Sequence, residues 1–140
     1  MAQLATSAFE ATIDALLPEW PTLPPAFRVL VSAHCARFVR RQIALAPAHI
    51  RLGIYALFIM FWIFATIRLG MRPLNSLPRE RRAAALRTFA LDQVPAFAAL
   101  ERILRSMTAV AFLEHPNVVK AVGEAGLAAT SPTASEATGA

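Results

Sequence analysis

Cysteine, lysine and tyrosine each occur once in these 140 residues, and glycine only five times. A lone Cys35 closes no intramolecular disulfide and has no second thiol for a redox or metal pair, so cysteine usage leaves the compartment open. Five glycines leave little for a phosphate cradle, and no GxGxxG, P-loop, GxSxG or CxxC string is present. The three histidines, His34, His49 and His115, lie far apart, whereas a metal site needs several ligands converging at helical or turn spacing. His34 beside Cys35 reads as packing. His49 and His115 sit beside helix ends, where the helix dipole or lipid headgroups favour positive charge. The acidic residues are spread singly, so no spacing sets up a carboxylate pair for acid-base work. The expectation is a chain with no catalytic, cofactor-binding or metal residues, and not an enzyme by itself.

Strand signals are also missing. Ala and Leu dominate, and no stretch alternates apolar and polar with the period of two that a half-buried strand requires. What is abundant is apolar surface: 56% of residues are hydrophobic and 16% charged, against about 45–50% and about 25% in an ordinary soluble domain. The excess has to be covered. Thirteen of the fourteen basic residues are arginine, Lys120 being the exception, and the net charge is +5. Such a surface favours acidic partners, be they nucleic acid, anionic headgroups or an acidic protein face.

Ala5, Phe9, Ile13, Leu16 and Leu17 recur at helical spacing opposite Glu10 and Asp14, giving an amphipathic helix over about 3–17. Four prolines within residues 18–25 exclude regular structure there and make a stiff connector. Thr22 or Pro25 opens a second helix, about 25–45, with Phe27, Leu30, Val31, Cys35 and Phe38 on one side and Arg37, Arg40 and Arg41 in its last turns. Farther on, Ser76 is a plausible cap and Pro78 a first-turn residue for a helix over about 77–91, with Leu86, Phe89 and Ala90 inward. Asp92 can cap a helix over about 93–114 striped by Phe97, Leu100, Leu104, Met107 and Ala111. A short turn at Val118 to Val122 should be stopped by Gly123 and Gly126. The small, polar residues from Thr130 onward read as disorder. The reading is an all-α bundle of about five helices: one domain over 1–126, with its apolar helix at about 50–69, and a disordered tail over 127–140.

Between Arg51 and Arg68 lie sixteen residues, Leu52 to Ile67, with no polar face. A helix that is apolar all round sits in a large core or in lipid. A soluble bundle with this helix at its centre is disfavoured, because a domain this small has few elements to cover it. Sixteen helical residues reach about 24 Å, short of the roughly 30 Å of a hydrocarbon core, although the two arginines could snorkel outward. Arg37, Arg40, Arg41 and Arg51 flank one side, and Arg68, Arg72, Arg79, Arg81 and Arg82 the other. A spanning helix should have one poor flank. Two basic flanks suit a helix whose ends stay at the same anionic leaflet, so a monotopic or partner-buried helix is favoured over a spanning one. Leu57, Phe58, Phe61, Trp62 and Phe64 are the expected membrane or partner contacts, and Arg51, Arg68 and Arg72 the expected headgroup contacts. No signal-peptide pattern or lipidation motif is visible at either end, which points to the cytoplasmic side of the inner membrane. The Arg79-Glu80-Arg81-Arg82 run lacks interleaved aromatics and any DNA-reading motif, so nucleic acid is not expected as a partner.

From Asn75 the order is a Pro-Arg-Glu-Arg-Arg start, an Ala-Leu-Arg-Thr-Phe helix, a break at Val94-Pro95, a Leu-Glu-Arg-Ile-Leu-Arg helix, then Glu114-His115-Pro116-Asn117-Val118-Val119-Lys120-Ala121-Val122-Gly123. Together with Phe9 to Pro18, this resembles the helical region preceding the flavin domain of long-chain alcohol oxidases of the glucose-methanol-choline family. It is also similar to the small helical accessory subunits of gluconate 2-dehydrogenase type. The resemblance is one of order and pattern over about residues 9–123, without a diagnostic motif. In that family the flavin and the catalytic histidine belong to the large domain. What the resemblance implies is a non-catalytic accessory subunit, with no small-molecule substrate of its own, that docks on a flavin-dependent oxidoreductase large subunit carrying FAD and holds it to membrane lipids. The alternative is a structural membrane-interface protein that assembles with itself or with a membrane complex.

Overall fold

The computed structural model describes residues 2–92 and 94–130. Among them the protein is all-α: α1 (Ala2–Leu16), α2 (Pro25–Leu45), α3 (Ala48–Arg68), a 3₁₀ turn (Leu74–Ser76), α4 (Arg79–Asp92), α5 (Pro95–Glu114) and α6 (Pro116–Thr130). Proline sets many of these limits. Pro25 and Pro95 occupy first-turn positions of α2 and α5, where a missing N–H costs nothing and the fixed φ is already helical.

α5 is the hub and packs on α1, α2, α3, α4 and α6. Its stripe of Phe97, Leu100, Leu104 and Ala111 is buried, as its spacing predicts. On α2 the buried ridge is Val31, Cys35, Val39 and Ile43, four residues apart. Phe27 and Leu30, expected on that side, are exposed instead. Leu30 lies about 100° round the helix from Val31 and so off the buried ridge, and Phe27 stands one turn before that ridge begins at Val31. The His34 ring meets that of His115, at the end of α5, at 5.1 Å. From α1, Phe9, Ile13 and Leu16 complete one continuous core with Leu86 and Phe112.

Two expected helix caps are filled differently. Ser76 closes the 3₁₀ turn, donating its hydroxyl to the Pro73 carbonyl at 2.7 Å, while α4 begins at Arg79 with the Pro78 carbonyl accepting from Arg82 N–H at 3.0 Å. Val94, not Asp92, stands at the cap of α5 and makes no side-chain capping bond. The largest difference is α6, which runs straight through Gly123 and Gly126 to Thr130. A helical glycine costs about 1 kcal/mol against alanine. Set among Ala, Val, Leu and Glu, two such losses do not end the helix. Residues 127–130 of the expected tail are thus helical, and residues 131–140 lie outside the described residues, as do the side chains of Phe89 and Ala90.

Candidate functional site

α3 starts after Pro47 and runs for 21 residues, about 31 Å at 1.5 Å per residue. Its end is set by backbone geometry. Gly70 and Met71 both have positive φ, with Gly70 N–H on the Ile67 carbonyl at 3.2 Å and Met71 N–H on the Thr66 carbonyl at 2.9 Å. That paired closure is a Schellman cap, and it stops the helix one residue past Arg68. Among the described residues, α3 is the one helix long and apolar enough to cross a membrane.

The two sides of α3 have different surroundings. Phe58, Phe61 and Ala65 are buried, and Ile54, Leu57, Trp62 and Phe64 pack partly against the core. Phe58 meets Phe9 of α1 edge to face at 5.5 Å, and Phe61 meets Phe97 of α5 in the same way at 5.5 Å. Offset and edge-to-face aromatic pairs add about 0.5–1.5 kcal/mol beyond area burial. Phe58 and Phe61, expected to face lipid or a partner, are therefore taken up by the protein's own core.

The opposite side carries Leu52, Tyr55, Ile59, Met60, Ile63 and Ile67, all exposed, with Leu52 at 71% and Met60 at 60%. At 3.6 residues per turn, these positions cover about 140° of the helix circumference. The stripe is unbroken by charge. Sequence pattern could not find it, since a period of 3.6 is visible only as contrast between apolar and polar positions, and α3 offers none.

Arg51, Arg68 and Arg72, expected at headgroups, are all exposed. Arg51 donates to the Ala44 carbonyl at 3.4 Å, and the Arg68 guanidinium lies 5.4 Å from the centre of the Phe64 ring. Both therefore sit at the two ends of α3 on the side turned toward the bundle. Their charges border the stripe without entering it.

Charge also lies behind the middle of α3. Glu10 of α1 and Arg40 of α2 pair at 3.4 Å, and Arg40 stands 5.2 Å over the Phe9 ring that touches Phe58. An ion pair thus sits one ring behind the centre of the helix. Elsewhere, a cavity of about 10 Å³ lined by Thr12, Phe58, Phe61, Leu86, Phe97 and Glu101 has room for about one water molecule. Among the described residues no group of three or more His, Cys, Asp or Glu is placed to hold a metal ion.

Fold and face together define a small helical bundle with a single long apolar helix, half core and half bare. The chain is 32% identical over 120 residues to the uncharacterized protein y4nI of Sinorhizobium fredii, an alignment that takes in 85% of this chain and 98% of that protein. The chain belongs to the same family as that protein. No family profile matches the chain, and no solved structure matches it.

Proposed function

We propose that this protein is a non-catalytic membrane-interface subunit that rests on one leaflet through the outer stripe of α3. The observation that carries the reading is that stripe: six large apolar side chains in a row on one face, bordered by arginines at both ends. Exposed apolar patches of this kind mark membrane or protein contacts. Lying flat suits the surroundings better than spanning. A spanning α3 would carry the Glu10–Arg40 pair toward the bilayer centre, where charge costs several kcal/mol. A helix lying in the headgroup region keeps that pair in the aqueous layer above it. Arg51, Arg68 and Arg72, exposed at the ends of α3, then stand in the aqueous layer close enough to an anionic surface to be drawn by its potential. The basic flanks on both sides favour the cytoplasmic face of the inner membrane.

The partner we propose is the flavin-dependent large subunit to which the pattern over residues 75–123 points, with FAD bound in that subunit and none here. The bundle above α3 would hold that enzyme at the surface where apolar alcohols dissolve.

Flotation with anionic vesicles tests the membrane half. The double variant Ile59→Asp/Ile63→Asp should lose vesicle binding while keeping the helical circular-dichroism spectrum, because both side chains lie outside the core. Binding that survives this change, or an unaltered chain that is monomeric and soluble in plain buffer, overturns the reading. Purification of the chain expressed with its chromosomal neighbours tests the partner: a flavin absorption band in the eluate supports it, and a colourless eluate from lipid-binding protein removes it.

A further inference from the structure

The residue before α6 is His115, and it does the work of a helix cap. Its Nδ1 accepts the backbone N–H of Asn117 at 3.3 Å, and its carbonyl accepts the N–H groups of Val118 and Val119 at 2.9 and 3.0 Å. An imidazole nitrogen thus stands where a Ser or Asp oxygen usually satisfies the first free donors of a helix. A nitrogen that accepts carries no proton, so this geometry requires the neutral ring with its proton on Nε2. From α2, the His34 ring meets it edge to face at 5.1 Å.

The remaining charged groups nearby are few. α5 contributes Glu114, next in the chain and exposed; α6 contributes Lys120 and Glu124, which pair with each other at 3.9 Å. The charge that bears on His115 is that of His34. Burial first, and His34 second, hold the His115 pKa below its ordinary value of 6.5. A histidine lowered in this way stabilises the fold above its unfolded pKa. That contribution is lost as pH falls through about 6.5 toward the folded value.

We propose that His34 and His115 form an acid-sensitive latch that releases α6 from α5. Protonating His115 removes the acceptor for Asn117 and places a positive charge against His34, while the dipoles of the two helices that meet at His115 act on that charge in opposite senses. Among the described residues of α6, Val118 is the fully buried one, with Asn117, Ala121, Val122 and Ala125 partly covered. Release uncovers Val118 and the part of the core it packs against.

Lys120 is the only lysine in the chain and is exposed on α6, so a lysine-specific endoproteinase reports the opening at a single bond. The full-length protein, kept in detergent, is digested at several pH values, and each rate is divided by that for a free peptide of residues 116–130. Between about pH 8 and about pH 5.5 the ratio should rise, with about tenfold as the ceiling that an ordinary imidazole in the open state allows. His115→Asn, whose amide oxygen caps without titrating, should hold the ratio flat. His34→Gln should move the midpoint to higher pH. A flat ratio in the unaltered chain, or an equal rise in His115→Asn, overturns the latch. In the unaltered chain the opening midpoint must also coincide with the titration of His115 followed by nuclear magnetic resonance, and separate midpoints equally overturn it.

Discussion

Cys35 is fully buried on α2, with its Sγ 3.8 Å from the Thr108 carbonyl of α5. Burial pushes its thiol up from 9.0 to about 11. Only the thiolate attacks alkylating reagents, and two pKa units reduce the thiolate fraction about a hundredfold. At pH 8 the native protein should therefore react with a maleimide at least about a hundredfold more slowly than the urea-unfolded chain. Comparable rates would mean that the ridge of α2 is open to solvent. The sign of the linked stability follows. The native thiol keeps its proton while the unfolded one loses it, so stability declines as pH rises from about 9 toward 11. The sequence made Cys35 legible as a core residue by its place in the helical repeat; nothing in it gave the Thr108 carbonyl, which lies 73 positions away.

Between elements, the join of α1 to α4 depends on charge as well as oil. Asp14 receives Arg82 Nη2 at 3.5 Å and Arg79 Nε at 4.0 Å, with all three side chains largely shielded from solvent. The same arginines donate to the Ala11, Asp14 and Leu17 carbonyls in the last turns of α1 and just beyond its end. Asp14→Ala should lower stability by about 1–3 kcal/mol, because it leaves two half-buried guanidiniums short of their acceptor. Urea unfolding in detergent measures it, and a change too small to resolve would show that the carbonyls alone suffice. The Arg79-Glu80-Arg81-Arg82 run thus turns out to contain two structural residues, Arg79 and Arg82. α1 and α5 were legible because their apolar positions contrast with charged ones at a period of 3.6. α3 was legible as an element but not as a pair of faces, since every position reads alike. The full length of α6 is hidden in the sequence because glycine pairs look like stop signals, although nothing lies within 4 Å of a side chain added at Gly123 or Gly126.

At the scale of the whole molecule, α3 carries the longest exposed apolar stripe on a helix that is also fastened to the core. The basic ends of α3 were visible in the chain as arginines either side of an oily run. The stripe between them required the partners of Phe58 and Phe61, which sit on α1 and α5 and which no local pattern reveals. Those rings fasten the helix from behind and leave the stripe facing outward. A newly folded copy therefore exposes the stripe to whatever surrounds it. Cell-free synthesis in plain buffer should give precipitate, whereas the same reaction supplied with anionic liposomes should yield protein that rises with them in a density gradient.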